Sequence, residues 1–190
     1  MHVFFELNTS LIRRTAIAIG TFDGIHLGHQ AVIQTMQKVA HERNLDSAVF
    51  SFQQHPLTLL APTKVPSLLS TTEEKLVLLK QLKVDTCVLL PFNEELSQML
   101  PKEFVEKILV SHLRVAYVAV GYNFRFGQGA QGDVHTLKEL GAEHGFDVCV
   151  IPPYLSGNEP VTSSRIRTLL HDKMLLSEVW TLLGGAYLMC

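Results

Sequence analysis

The stretch Gly20-Thr21-Phe22-Asp23-Gly24-Ile25-His26-Leu27-Gly28-His29 constrains this chain more than any other, because it turns a short apolar run into a long amphipathic one. Before it, Ala16-Ile17-Ala18-Ile19 reads as a buried strand. After it, Val32, Ile33, Met36, Val39 and Ala40 recur at helical spacing between Gln30 and Glu42. Glycines at such a junction let backbone N–H groups approach a ligand at a helix N-terminus, where unpaired donors and the helix dipole both favour an anion. His26 and His29 are three residues apart, so both rings face one point if the first helical turn begins near them. Their N–H groups can donate to phosphate oxygens without a permanent full charge. Taken alone, the turn equally suits a plain helix start, with His26 as the cap and His29 on the surface, so the remaining motifs decide.

Composition narrows the classes. The 190 residues are 47% hydrophobic and 18% charged, which suits one globular domain over 1–190 with ample core. A formal net charge of -2 argues against a nucleic-acid partner and for small-molecule ones. No apolar run approaches the roughly 18 residues of a membrane span, and Met1-His2-Val3-Phe4-Phe5-Glu6 lacks the basic start of a signal peptide. The expectation is a cytoplasmic protein with no membrane contact. Cys87, Cys149 and Cys190 are odd in number and widely spaced, and the first two lie in apolar runs, so buried thiols are expected rather than metal ligands or bridges.

Further along, Ser47 to Phe52 reads as a second strand, closing a right-handed βαβ unit, and is followed by Gln53-Gln54-His55-Pro56. A long loop with Pro56, Pro62 and Pro66 then runs to about Ser70 and reads as a substrate-facing flap, with His55-Pro56 just past a strand end. Ser70-Thr71-Thr72-Glu73-Glu74 has the form of a capping box, predicting a helix through Leu82. Asp85 to Leu90 is the third strand. Between Asn93 and Val110 the apolar spacing predicts two short helices joined at Leu100, with Pro101 in a new first turn and Phe104 by default in the core.

Val115 to Val120 is a fourth apolar strand, delivering Gly121-Tyr122-Asn123-Phe124-Arg125-Phe126-Gly127-Gln128-Gly129. Glycines there give backbone access, Asn and Arg suit phosphate or polar groups, and the aromatics can pack on a flat ring. A helix over Val134 to His144 and a fifth strand over Phe146 to Ile151 follow, then a turn at Ser156 to Pro160. Val161-Thr162-Ser163-Ser164-Arg165-Ile166-Arg167 opens a last helix. Hydroxyls at a helix start are ordinary N-caps. Joined to a guanidinium, they also match a polyphosphate tail. Arg165 and Arg167 are two apart, so at most one points directly into a common site.

The G-x-F-D-G-x-H-x-G-H turn, the H-P loop, the N-F-x-F-G loop and the final S-S-x-I-R helix start, in this order, resemble the adenylyltransferase module of bacterial FAD synthetases, members of the HxGH nucleotidyltransferase superfamily. The resemblance implies an α/β, Rossmann-like three-layer fold with a mainly parallel five-stranded sheet. It implies transfer of AMP from ATP to FMN, giving FAD and pyrophosphate, with Mg²⁺ accompanying ATP and its ligands unassigned. It assigns His26 and His29 to the charge developing on the α-phosphate and leaving group, Asn123 to phosphates or metal, and Thr162, Ser163, Ser164 and Arg167 to the phosphate tail. The backbone of Gly20, Thr21, Phe22, Asp23 and Gly24 would line the nucleotide, His55 and Pro56 the FMN phosphate, and Phe126 with Phe104 the isoalloxazine.

Two departures stand out. Gln53-Gln54 replaces the usual Asp-Pro before His-Pro, and Leu182-Leu183-Gly184-Gly185-Ala186-Tyr187 stands where relatives enter a riboflavin kinase domain. Either the chain is a single-activity enzyme or it is a truncated form of a larger one, and in both cases the expectation is no riboflavin kinase activity. Two other readings share some of these motifs: a sister transferase with phosphopantetheine or nicotinamide mononucleotide as acceptor, and a non-catalytic flavin or nucleotide sensor.

Overall fold

The computed structural model describes residues 1–7, 13–171 and 175–185, so Cys190 and the Ala186-Tyr187 pair lie outside the described residues. Strand β2 (Thr15–Ile19) is buried along its whole length, as are most residues of β3 (Asp46–Phe52), β4 (Thr86–Leu90) and β5 (Val115–Gly121). Continuous apolar runs of this kind belong to parallel strands covered on both faces. They pair in parallel in the order β1-β4-β3-β2-β5-β6, with β1 (His2–Phe4) and β6 (Asp147–Ile151) at the edges. The α/β, mainly parallel architecture is as expected, but the sheet has six strands rather than five. The additional strand is β1, three residues held beside β4 by backbone pairing such as His2 N–H to the Asp85 carbonyl at 2.7 Å. So short an edge strand has no periodicity to read.

Alternation along β2 sends Ile17 and Ile19 to one face and Ala16 and Ala18 to the other. On the alanine face pack α1 (Leu27–Glu42), through Val32, Ile33, Met36 and Ala40, and α3 (Thr72–Gln81), through Leu78 and Leu79. The isoleucine face is covered by Phe104, Val105, Ile108 and Leu109 and by Leu137 and Leu140 of α6 (Val134–His144). A third cluster of Val161, Ile166, Val179 and Leu182 docks α7 (Ser163–Leu170) and α8 (Leu176–Leu182).

Several local expectations are refined. Thr71 and Glu74 form the capping box: Thr71 Oγ1 accepts from Glu74 N–H at 3.2 Å, and Glu74 Oε2 accepts from Thr71 N–H at 2.7 Å. The flap after β3 carries a helical turn, α2 (Leu57–Leu60), and a 3₁₀ turn over Pro62–Lys64. The two helices expected around Leu100 are α4 (Glu94–Gln98) and α5 (Pro101–Glu103), and α5 runs into a π-helical stretch over Phe104–His112. The turn expected at Ser156 to Pro160 is the tip of a small antiparallel hairpin, β7 (Leu155–Ser156) and β8 (Glu159–Pro160). Among the described residues no helix is long and apolar enough to cross a membrane.

Order reverses at β2, whose forward connection goes to β3 while β5 lies on its other side. Ligands of open α/β sheets bind beyond the carboxyl ends of strands at such a reversal. The turn Gly20 to His26 leaves β2 at that point.

Candidate active site

Gly20 N–H continues the ladder to the Phe50 carbonyl at 3.2 Å, and then the backbone turns sharply, with positive φ at Phe22 (48°), Gly24 (77°) and Ile25 (36°). Phe22 and Ile25 are buried and act as apolar anchors for these unusual conformations. Gly24 is required twice over: its φ is left-handed, and a Cβ would stand 2.8 Å from Leu69 Cβ. Gly28 fits between the His26 ring and the Val161 carbonyl, where a Cβ would press on them at 3.1 Å and 3.3 Å. The start of α1 therefore lies directly against the chain entering α7.

His26 is the N-cap of α1, its Nδ1 accepting from His29 N–H at 3.4 Å, so the cap reading and the site reading hold together. An accepting Nδ1 places the ring proton on Nε2. The His26 and His29 rings stack with centroids 3.7 Å apart, and His29 meets the edge of Phe22 at 5.3 Å. His29 Nδ1 is buried, with no hydrogen-bond partner among the described residues. Burial holds the His26 pKa down at about 4, the charge of Arg167 adding to this and Asp23 opposing it. Burial also holds His29 well below the usual histidine value, reinforced by His26 and Lys75. At neutral pH the pair is two uncharged imidazoles.

A cavity of about 550 Å³ opens over this turn, within the range of small-molecule sites. Gly20, Thr21, Phe22, His26 and His29 line it together with Asn123 and with Thr162, Ser163 and Ser164. The early histidines and the late hydroxyls thus share one cavity although about 140 residues separate them. Thr162 caps α7 by accepting from Arg165 N–H at 3.1 Å, and Ser163 Oγ donates to the Asp23 carbonyl at 3.1 Å. Two helix N-termini, those of α1 and α7, meet at this polar end. The other wall is aromatic. Phe52 meets Phe92 at 5.2 Å, Phe104 meets Phe126 at 5.7 Å, and Phe124 stacks on Phe126 at 5.5 Å, all five rings lining the cavity.

Four expected residues lie elsewhere. Arg167 does not line the cavity: its Nη2 pairs with Asp23 Oδ2 at 2.5 Å and its Nε donates to the Ser67 carbonyl at 2.7 Å. Asp23 turns away as well, its Oδ1 accepting from Leu69 N–H at 2.9 Å and Ser70 N–H at 3.2 Å, and Gly24 packs on Leu69. His55 lines a separate small pocket of about 20 Å³ with Asp23 and Lys75, while Pro56 borders both spaces. His55 Nδ1 accepts from Leu57 N–H at 3.2 Å, and burial lowers its pKa. Gln53 and Gln54 donate their amides to the Leu89 and Phe92 carbonyls, both at 3.2 Å, so this departure fastens the loop to β4 and leaves the large cavity untouched. Arg165 staples the hairpin to α8 through the Glu159 carbonyl at 3.1 Å and Glu178 at 2.7 Å.

Sequence reading missed Phe92, Tyr154 and Lys75. Tyr154 follows Pro152-Pro153 with no pattern to mark it. Lys75 had a signal: it shares a helical face with Leu78 and Leu79, where a charge is out of place.

The depressed histidine pKa has a measurable sign. Below about pH 6.5 the unfolded chain protonates at His26, while the folded chain resists until about pH 4. The resulting stabilisation is complete above pH 6.5 and is lost as the pH falls toward 4, amounting to roughly 3 kcal/mol. Urea unfolding should show that H26N, which keeps a capping oxygen but cannot titrate, loses less stability than the wild type between pH 7 and pH 4.5.

The sequence model of the FAD synthetase family matches residues 9–165. The bifunctional riboflavin kinase/FMN adenylyltransferase of Escherichia coli K12 is 37% identical over 172 residues, covering 90% of this chain and 54% of that protein. The Haemophilus influenzae protein of the same name is 32% identical, covering 93% and 57%, and that of Bacillus subtilis 31%, covering 84% and 50%. The chain spans about half the length of these curated relatives. A crystal structure described as a macrolide-efflux protein from Streptococcus pneumoniae superposes with a TM-score of 0.82 over 97% of this chain and 62% of its own, at 24% identity, a likeness of fold alone. With its four motifs gathered at the β2 reversal and its match over most of its length, the chain belongs to the FAD synthetase family.

Proposed function

We propose that this chain catalyses FMN adenylyl transfer: an FMN phosphate oxygen attacks the α-phosphorus of ATP, the bond from that phosphorus to the α–β bridging oxygen breaks, and FAD and pyrophosphate form. The observation that carries this reading is the single cavity with His26, His29 and Thr162 to Ser164 at one end and an aromatic wall containing Phe104 and Phe126 at the other. A triphosphate and a flat apolar ring need such an arrangement side by side. The names of the bifunctional relatives support the same activity.

Phosphoryl chemistry of this kind asks little of protein acids and bases and much of positioning and charge stabilisation. In this reading the neutral His26 and His29 donate to oxygens that gain charge as the α–β bridge breaks. Thr162, Ser163 and Ser164, with the N-termini of α1 and α7, hold the phosphate tail, and Asn123 contributes its carboxamide. Arg167 acts from behind, by fixing Asp23 and Ser67, and His55 borders the flap rather than the flavin. Mg²⁺ enters with ATP. The residues lining the cavity include no Asp or Glu, and the described residues hold no cluster of three His, Cys, Asp or Glu suited to a metal. They fit an ion carried mainly by phosphate oxygens, with Asn123 and the serine hydroxyls as neutral oxygen donors. Such an ion supplies charge neutralisation on the phosphates. A cytoplasmic setting suits Cys87 and Cys149, both free thiols in the structure, with burial pushing Cys87 up to about 12.

Chromatography with fluorescence detection should show FAD after incubation with FMN, ATP and Mg²⁺, and its absence at high enzyme concentration would overturn the proposal. ATP binding with no pyrophosphate release would mark a sensor, and unquenched flavin fluorescence would mark a different acceptor. H29A should lower kcat by about 10²-fold or more with ATP affinity little changed, because its donor acts mainly in the transition state. Steady-state kinetics beside ATP titration separate this from a binding role. For F126A, flavin quenching should report FMN affinity weakened by about tenfold, the scale of a lost aromatic contact, with ATP binding intact.

A further inference from the structure

Lys75 is a buried cation whose surroundings answer its hydrogen bonds but not its charge. It lies in α3 at 8% exposure, and its Nζ donates to the Thr21 carbonyl at 2.9 Å, the Phe52 carbonyl at 3.3 Å and Ser51 Oγ at 3.4 Å. Three neutral acceptors match the three protons of an ammonium group. Among the described residues Lys75 takes part in no ion pair, and Gln53, at the place where the resemblance expects an acid, is a neutral amide turned to Leu89. Asp23, the carboxylate that acts on Lys75 through space, is already paired with Arg167, so the buried ammonium keeps a field that a further anion in reach would answer.

The position of its acceptors shows where that field acts. Thr21 and Phe52 stand at the carboxyl ends of neighbouring strands β2 and β3, beside the strand-order reversal. The Thr21 carbonyl receives a second donor, Ser51 Oγ at 3.0 Å, so two hydrogen bonds fix the Thr21–Phe22 peptide plane. That peptide is trans, and in a planar trans peptide the N–H points opposite to the carbonyl. Phe22 N–H therefore faces away from Lys75. It has no hydrogen-bond partner among the described residues, and Phe22 lines the large cavity while Lys75 lines the small pocket beyond Thr21. Phe22 holds a left-handed φ of 48°, a conformation that persists where its surroundings over-determine it.

We propose that Lys75 is a positioning residue for the adenylyl-transfer site: it locks the Thr21–Phe22 peptide so that Phe22 N–H faces the phosphate end of the cavity, and it sets a fixed positive charge behind that donor. The inference rests on reading the cavity as a nucleotide site. His29 senses the same charge, since Lys75 is among the groups that depress its pKa, after burial and His26. Burial lowers the pKa of Lys75 itself, with Asp23 opposing this.

The test uses K75M, close in length and uncharged, and S51A, which removes one donor to Thr21 and leaves the charge. Thermal unfolding checks that each is folded. For K75M the expected result is a 10- to 100-fold fall in kcat for FAD formation with KM for FMN unchanged, the scale of a misplaced catalytic contact. Its His29 resonance should titrate at higher pH than in the wild type, and its Phe22 amide should respond less to added ATP in ¹⁵N spectra. S51A should lose about three- to tenfold in kcat with the His29 titration in place, and this decides the matter if K75M does not fold. A folded K75M with kcat within twofold of the wild type, or with unmoved His29 titration and a wild-type Phe22 response, overturns the assignment; so does an S51A of full activity when K75M is unfolded. If the wild type makes no FAD, the FMN reading falls alone, and the Phe22 response to ATP still decides the role of Lys75.

Discussion

The site depends on the way Asp23 gathers two distant parts of the chain, the end of the flap and α7, onto one turn. Its carboxylate accepts from the backbone of Leu69 and Ser70 and pairs with Arg167 at 2.5 Å, while its carbonyl accepts from Ser163 Oγ. The Asp23–Arg167 pair is largely buried, with side chains 6% and 18% exposed. A buried pair adds little net stability by itself, but removing one partner strands a charge and typically costs about 3–5 kcal/mol. Its value here is register. The flap before α3 and the start of α7 are both referred to the turn that carries the histidines, and Arg167 Nε joins the two directly at the Ser67 carbonyl, so the cavity walls are set relative to one another.

That arrangement explains what the sequence revealed and what it hid. Strands β2 to β5 were legible because parallel strands covered on both faces are unbroken apolar runs, the half-buried edge strand β6 because its apolar residues run up to Pro152-Pro153, and α1 and α6 because one apolar stripe repeats through several turns. The capping box at Thr71 and Glu74 was legible as a local pattern. β1 was not, since three edge residues carry no period. Nor was the π-helical run over Phe104–His112, because a widened turn hardly alters which residues are apolar. The destination of Arg167 was hidden for another reason. Helical spacing puts it on the same face as Ser163, four residues earlier, which does line the cavity, but only the fold shows that the Arg167 guanidinium ends on Asp23 and Ser67 instead.

The histidine pair illustrates how two ordinary roles combine. His26 ends a loop and caps a helix, which needs an accepting, uncharged Nδ1. Stacking His29 on it at 3.7 Å then disfavours protonation of either ring, since two cations so close would repel in a poorly solvated space. Capping, stacking and burial therefore act in one direction. They leave two N–H donors whose strength does not vary across the physiological range.

If the cavity carries out the proposed adenylyl transfer, neutral donors have a consequence for turnover. Of the described residues lining the cavity only Arg125 carries a permanent positive charge, and its side chain is 60% exposed and near Asp133 at 3.8 Å. A cluster of bare cations would grip ATP and pyrophosphate as firmly as the transition state, and such uniform binding lowers KM without raising kcat. Helix N-termini, backbone N–H groups and imidazoles are instead oriented dipoles. Their interaction grows as charge moves onto the oxygens they face, and it weakens once pyrophosphate has left with its own counter-ion. In the proposed role of Lys75, its buried charge, held one peptide behind the surface, would act on the phosphates through a fixed backbone rather than a mobile side chain, favouring the crowded, highly charged moment of transfer over tight retention of the product.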